Sequence, residues 1–309
     1  MNELQAILSA ARRAWAANET PVLATVIATR GSSYRKPGAR MLVTSEGWRA
    51  GSISGGCLES DVVRKAAWLV EQGTAVLRTY DTSADGEVAL GCGGEVDVLL
   101  EPFHADGTLA KAMAQVVDTR RAQSHTVTLP NGATWTETLR PASRLVVCGA
   151  GHDALPVHQL ALTLGWDVQV VDWRPAQLTP TRFPGATTHL LASDALARLP
   201  LEAGCAVVIM SHHLLYDARV LEAALASPLP AYIGVLGPTK RTKDLLETLP
   251  KTLSLDRLRA PIGLALGGEG PAAVALAILS VVHAVLHRAP ASPMSTRGDT
   301  RSVTQIRPT

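Results

Sequence analysis

The stretch RLVVCGAGHDA, residues 144–154, decides the fold of the second half of this chain. An apolar run leads directly into Gly149-Ala150-Gly151, and residues that can begin a helix follow. In a turn of the form G-x-G-x-x-A, the first glycine makes a tight turn, the second lets a diphosphate approach the backbone, and the alanine permits close helix packing. The stretch therefore predicts a strand, a glycine-rich turn and a helix whose N-terminus faces a phosphate group.

The sequence beyond this turn keeps alternating between short apolar strands and helical segments. The strand-like runs are DVQVVD (167–172), AVVIM (206–210) and YIGVLG (232–237). Such a rhythm is typical of a doubly wound parallel sheet, the Rossmann-like architecture. Asp172 ends the second strand about 20 residues after the turn, where an acidic side chain takes the ribose hydroxyls in dinucleotide-binding domains.

Gly149, Gly151, His152 and Asp172 are therefore the candidate cofactor-binding residues of this half. His152 either faces the phosphate or is a capping or packed histidine. Arg174 either favours a phosphorylated ribose or is a surface charge. Two further interpretations stay open for the whole unit: a scaffold that binds no ligand, or a docking role only.

The first half of the chain predicts a mixed α+β domain. An amphipathic helix opens the chain, and the dipeptide Asn131-Gly132 between two alternating runs predicts a β-hairpin. The other predicted elements are strands at 21–30, 75–80 and 95–100, two short strands within 39–53, and helices at 58–73 and 108–121.

The pattern changes near Pro141, where we place the domain boundary. The predicted fold class is α/β, with an N-terminal mixed α+β domain over residues 1–140 that ends in a hairpin linker. A Rossmann-like doubly wound domain follows over residues 141–288. Residues 289–309 are rich in Pro, Ser, Thr and Arg, and we expect a disordered tail.

The composition argues against nucleic acid and membranes as partners, and it indicates the cellular compartment of the protein. A net charge of +2 gives no bulk attraction for nucleic acid or anionic membranes. The apolar run at 271–287 falls short of the roughly 20 residues that a membrane span requires. Four separated cysteines without a CxxC pair indicate reduced thiols and a cytoplasmic protein.

Two of these cysteines lie in glycine-rich loops. Cys57 stands in GSISGGCLES (51–60), directly before a predicted helix, and Cys92 stands in GCGG (91–94). A helix N-terminus favours a thiolate over a thiol, so Cys57 is a candidate reactive cysteine, and Cys92 is a second candidate because it also stands in a glycine-rich loop. The alternative is a small buried side chain in a tight turn. Cys148 and Cys205 flank apolar strands and are predicted to be core residues.

Polar residues near the two loops allow a structural and a functional interpretation. Ser33, Arg35 and Arg40 could bind phosphate through hydrogen bonds, or they could be turn-forming and exposed loop residues. Glu59 follows Cys57 in the first turn of the helix, where the helix dipole favours a carboxylate whatever the function. The adjacent His212 and His213 form a poor metal pair, because neighbouring strand residues point to opposite faces.

Several motifs together resemble the XdhC/CoxI family of molybdenum-hydroxylase maturation factors. The motifs, in chain order, are GSSYRKPGARMLVT (31–44), GSISGGCLE (51–59), LGCGGEVDVLLEP (90–102), GAGHDALPV (149–157), VVDWRP (170–175), YIGVLGPTKR (232–241) and APIGLALGGEGP (260–271). The chain departs from the family pattern at Pro238 and in the GGEGP turn before the last helix.

The resemblance implies an accessory protein for xanthine dehydrogenase-like enzymes. Such a factor holds the molybdenum cofactor, as molybdopterin or its dinucleotide form, supports exchange of an oxo ligand for sulfur, and passes the cofactor to the apo molybdenum hydroxylase. Cys57 and Cys92 would then be molybdenum ligands or sulfur carriers. A cysteine desulfurase as sulfur donor and a homodimer are further expectations. The alternative function is an NAD(P)-dependent oxidoreductase with Cys57 as its redox partner.

Overall fold

The computed structural model describes residues 2–82 and 94–292 of the chain. These residues form two compact units that divide between Ala142 and Ser143. The mixed N-terminal unit and the parallel-sheet C-terminal unit confirm the predicted fold class. Each unit is described separately below.

The N-terminal unit is built on a five-stranded antiparallel sheet in the order β3-β2-β1-β5-β4. Its elements are α1 (Glu3–Ala16), β1 (Val22–Gly31), β2 (Arg40–Thr44), β3 (Gly47–Gly51), α2 (Glu59–Gln72), β4 (Val76–Asp81), β5 (Gly94–Pro102) and α3 (Thr108–Thr119), followed by the hairpin strands β6 (Gln123–Thr128) and β7 (Thr134–Leu139). The helices and strands predicted for this half are present.

Helices cover both faces of this sheet, which explains the continuous apolar run of its central strand. One face of β1, including Val22 and Val26, packs against Leu69 and its neighbours on α2. The opposite face of the sheet, including Leu23, packs with Met113 of α3 and the apolar side of α1. A strand with two buried faces reads as an unbroken hydrophobic segment rather than an alternating one.

The predicted hairpin forms at Asn131-Gly132. Gly132 has φ +84°, and the Asn131 side chain accepts a hydrogen bond of 3.1 Å from the backbone N–H of Ala133. Glycine adopts this left-handed backbone at little steric cost, and asparagine favours the turn through its side-chain hydrogen bond. The turn thereby fixes the register of β6 on β7, with Thr128 opposite Thr134.

The C-terminal unit contains a six-stranded parallel sheet in the order β10-β9-β8-β11-β12-β13. Its elements are β8 (Arg144–Cys148), α4 (Ala154–Thr163), β9 (Asp167–Asp172), β10 (Thr187–Leu190), β11 (Ala206–Ile209), α5 (Leu214–Ala226), β12 (Tyr232–Val235), α6 (Thr239–Glu247), β13 (Leu258–Arg259) and α7 (Gly270–Leu286). The strand order reverses between β8 and β11, as in a doubly wound fold, where ligands bind outside the carboxyl ends of the strands.

Helix α7 is the apolar segment at the end of the C-terminal unit. It runs for 17 residues, and its buried side packs into the same core as β8 and α4. Across residues 2–82 and 94–292, every helix is too short or too polar to cross a bilayer.

Candidate functional site

Cys57 lies exposed in the turn between β3 and α2. The preceding residue, Gly56, has φ +115°, a backbone conformation in which a residue with a side chain would be strained. Helix α2 begins at Glu59, two residues beyond the thiol. The prediction of an accessible cysteine close to a helix start therefore agrees with the observed geometry, and the alternative of a buried cysteine does not.

Glu59 holds the backbone of the loop that carries Cys57. Its carboxylate is buried and accepts hydrogen bonds from the N–H groups of Ile53 (3.1 Å), Ser54 (2.8 Å) and Leu58 (3.2 Å), as well as from the Ser54 hydroxyl. The Ser54 oxygen in turn accepts the N–H of Cys57 at 3.0 Å. The thiol is thus presented on a loop whose donors are bound by two side chains, Glu59 and Ser54, which are bonded to each other.

The hydrogen bonds to the Glu59 carboxylate affect its pKa more strongly than its burial does. Burial alone would raise its pKa, but the Ser54 hydroxyl and the backbone N–H groups bonded to the carboxylate hold the pKa below its ordinary value. Glu59 is therefore ionised in the folded protein at neutral pH. Its position in the first turn of a helix is predictable from sequence, but its role in fixing the cysteine loop is not.

The structure brings Cys57 together with two other predicted residues, Ser33 and Arg35, around a pocket of about 40 Å³. Thr82 also lines this pocket. Cys92 lies outside the described residues. Thr82 and Gly94 are the described residues on either side of its segment. The Thr82 hydroxyl donates a 2.6 Å hydrogen bond to the carbonyl of Gly94.

Ser33 and Arg35 brace the turn before β2. The Ser33 hydroxyl donates to the carbonyl of Arg35 at 2.6 Å, and the Arg35 guanidinium pairs with Glu3 of α1. Ser33 therefore has the turn-forming role that the sequence allowed. The Arg35 side chain as a whole remains 29% accessible beside this ion pair.

Arg40 is not the exposed loop charge that the sequence suggests. Its side chain is buried, donates to the carbonyl of Gly38 at 2.9 Å, and forms an ion pair with Glu137 of β7. Residues of α1 and the hairpin, not Cys57, share its pocket. The interpretation of Arg40 as an exposed loop residue is wrong, because its partner stands 97 positions away in sequence.

Gly149 sets the position of the glycine-rich turn in the C-terminal unit. It has φ +119°, and a Cβ at this residue would stand 2.5 Å from the backbone nitrogen of Ser211. The turn after β8 therefore lies directly against the loop after β11, at the reversal point of the sheet. Any side chain at this position would push the two loops apart.

Asp172 has a different environment from the one predicted. It is fully buried, and its two carboxylate oxygens accept four hydrogen bonds: from the Ala150 N–H (2.7 Å) and from the N–H, Nε and Nη2 of Arg174 (2.8–2.9 Å). Despite burial, these bonds hold the pKa of Asp172 below its ordinary value. The carboxylate thus ties the turn to β9, and a ribose could reach it only by displacing Arg174.

Arg174 is accordingly a partner of Asp172, and its guanidinium also lies 4.5 Å from the centre of the Trp173 ring. A second arginine that the sequence analysis missed contacts the turn. Arg182 donates a 3.0 Å hydrogen bond from Nη2 to the carbonyl of Ala150. No local sequence pattern marks this contact, because it crosses from the loop after β9.

The histidines near this turn have separate roles. His152 is exposed beside the start of α4. His212, with φ +62°, bonds to the Asp153 carboxylate at 2.6 Å, whereas the His213 ring accepts the N–H of Tyr216 and caps α5. In the described part of the chain, His, Cys, Asp and Glu side chains form no group of three that could hold a metal ion.

Two predicted core cysteines, Cys148 and Cys205, are buried in the C-terminal unit. Burial raises the pKa of both thiols, so neither resembles a reactive cysteine. Near them, the buried Asp217 accepts hydrogen bonds from the Ser211 hydroxyl and, at 2.7 Å, from Arg241. This link joins α5 to α6 and explains the arginine of the motif YIGVLGPTKR.

Comparison with known proteins places these features in one family. Residues 145–282 match the family model of the XdhC Rossmann domain, and residues 14–81 match that of the XdhC and CoxI family. A probable xanthine dehydrogenase subunit of Bacillus subtilis is 30% identical over 85% of this chain and 92% of its own length. The molybdenum cofactor insertion chaperone PaoD of Escherichia coli is 27% identical over 91% of this chain and 89% of its own length.

A solved structure extends the similarity to the fold. A Bacillus halodurans protein described as a xanthine dehydrogenase superposes with a TM-score of 0.81 at 27% identity, covering 92% of this chain and 96% of that one. The motifs, the family matches and the relatives agree. The chain belongs to the XdhC and CoxI family.

Proposed function

We propose that this protein holds the molybdenum cofactor as cargo, supports its sulfuration and inserts it into a xanthine dehydrogenase-like molybdenum hydroxylase. The family and the relative that is named as a molybdenum cofactor insertion chaperone support this function. The observation that carries it is the exposed thiol of Cys57 on a loop fixed by the buried carboxylate of Glu59.

The residues around Cys57 suit such a cargo. A thiolate is a soft ligand of the kind that binds molybdenum and sulfur species. Arg35, whose side chain remains 29% accessible, lines the same pocket, and a guanidinium can pair with a phosphate. We include Cys92 in the proposed site, because its motif LGCGGEVDVLLEP is part of the resemblance to the family.

A sulfur-carrying role follows from the same exposure of Cys57. Its thiolate can attack the outer sulfur of a persulfide on a cysteine desulfurase, forming a new S–S bond while the donor cysteine leaves as thiolate. The buried Cys148 and Cys205 cannot make this contact. We also propose a homodimer and a cytoplasmic location, the latter because reduced thiols belong to that compartment.

The glycine-rich turn retains a proposed phosphate-binding role through Gly149, Gly151 and His152. The NAD(P)-dependent alternative is weaker, because Asp172, the expected ribose ligand, is already bonded to Arg174 and Ala150. A phosphate can still meet backbone N–H groups at the start of α4 without displacing that carboxylate.

The small molecule that co-purifies with the native protein distinguishes these functions. We expect the full chain, purified from a host that makes molybdopterin, to yield a fluorescent pterin after oxidation and no stoichiometric nicotinamide nucleotide. Mass spectrometry of the denatured supernatant identifies the compound. Tightly bound NAD(P)H with turnover of an electron acceptor, and no pterin, would contradict the proposed function.

A further inference from the structure

Tyr34 presents its ring to solvent at the rim of the Cys57 pocket. Its relative exposure is 81%, the highest among the large hydrophobic side chains in the described part of the chain. A tyrosine ring in water forgoes the stabilisation that burial would contribute, and its exposed surface remains open to stacking. The function described above does not use this side chain.

The backbone on both sides of Tyr34 is tied down. The hydrogen bond from the Ser33 hydroxyl to the Arg35 carbonyl spans Tyr34, at 2.6 Å. The guanidinium of Arg35 is itself paired with Glu3. The exposed ring is therefore carried on a braced turn, which reduces the conformational entropy that a stacking partner would have to remove.

The ring lies beside the cysteine loop. A Cβ added at Gly55 would stand 3.9 Å from Cδ1 of Tyr34, so the ring borders the backbone two residues before Cys57. Two residues span about 7 Å at most. Because Tyr34 and Cys57 also line the same pocket, one ligand can contact both the ring and the thiol.

The size of the pocket decides where such a molecule would lie. With about 40 Å³, the pocket is too small for a bicyclic ring. A ligand whose sulfur end contacts Cys57 must therefore place its ring outside the pocket. Among the residues that line the pocket, Tyr34 is the aromatic one.

We propose that Tyr34 is a stacking platform for the planar pyrimidine ring of the bound pterin, held beside the thiol of Cys57. This inference rests on the proposed function and adds a binding residue to it. Stacking of a nucleobase on an aromatic side chain changes affinity by about tenfold, and a pterin offers a comparable flat surface. Tyr34 thereby selects for the ring of the cargo, while Cys57 contacts its sulfur end.

Two substitutions separate the ring face from the hydroxyl group. We expect Tyr34→Phe to bind the pterin within about twofold of the wild type, and Tyr34→Ala to bind it about tenfold more weakly. The measurement is equilibrium dialysis of the cofactor-loaded full chain, with the pterin quantified by fluorescence after oxidation. Neither change should shift the unfolding temperature, because the ring is exposed.

Two results would overturn this inference: unchanged pterin affinity in Tyr34→Ala, or an equal loss in both variants. Unchanged pterin affinity together with weaker binding of the sulfur donor or client enzyme would make Tyr34 a protein contact. A parallel Cys57→Ser variant separates the two levels of the proposal. If that variant loses pterin and Tyr34→Ala does not, the platform alone is wrong; if neither loses pterin, the proposed function fails.

Discussion

Glu59→Ala is expected to destabilise the N-terminal unit by about 3 kcal/mol and to abolish stable cofactor retention. The substitution removes the acceptor for the N–H groups of Ile53, Ser54 and Leu58 and for the Ser54 hydroxyl. A buried donor left unpaired costs about 1–3 kcal/mol, and water entering the gap recovers part of that sum. Because the same contacts fix the loop of Cys57, the cofactor should be lost as well.

Urea unfolding and the pterin content of the purified variant test this expectation. Glu46→Ala is the matched control, since Glu46 is an exposed glutamate of the same unit that pairs with Arg49 at the surface. Its loss should change stability by less than about 0.5 kcal/mol. If Glu59→Ala were as stable as Glu46→Ala, the carboxylate would not be the support of the loop.

Glu101→Gln should remove a pH dependence of stability that the wild type shows between about pH 4.5 and 7. Burial, together with the charge of Glu137, raises the pKa of Glu101 to about 7, although Arg40 lowers it. A carboxyl group whose pKa is raised on folding stabilises the protein fully below its unfolded pKa, and this contribution is lost as pH rises through the folded pKa. The shift from 4.5 to about 7 corresponds to roughly 3 kcal/mol.

Glutamine imitates the protonated carboxyl group at every pH. The free energy of unfolding of Glu101→Gln, minus that of the wild type, should therefore be roughly 3 kcal/mol larger at pH 8 than at pH 4.5. Urea unfolding at both pH values measures this difference. Glu95→Gln on the same strand is the control, because Glu95 is exposed and pairs with Arg30 at the surface. Parallel stability curves for Glu101→Gln and the wild type across this range would contradict the assigned ionisation.

The parts of the fold that depend on local chemistry are predictable from the sequence. The tight turn at Gly149, the hairpin at Asn131-Gly132 and the stop of α2 at Gly73 all require a left-handed backbone that few other residues adopt. The alternation of strands and helices after residue 144 also predicts the parallel sheet, because each element carries its own hydrophobic periodicity in the local sequence. These predictions are confirmed.

The parts of the candidate site that depend on distant contacts are not predictable in the same way. Arg40 is drawn into the interior by Glu137 of the hairpin. Asp172 stands where the sequence expects it, but Arg174, only two residues later, folds back on it and occupies its oxygens. Sequence position identifies a carboxylate and a guanidinium, whereas the backbone geometry decides whether they bind each other or a ligand.

Pterin retention by Cys57→Ser tests the central claim most directly. The wild type, Cys57→Ser and Cys205→Ala are purified in parallel, and bound pterin per chain is compared with the unfolding temperature. Cys205 is the control because its thiol is buried in the C-terminal unit. We predict that Cys57→Ser loses most of its pterin without a change in unfolding temperature, whereas Cys205→Ala keeps it. Retention of wild-type amounts by Cys57→Ser would contradict the assignment of this thiol as the contact for the cargo.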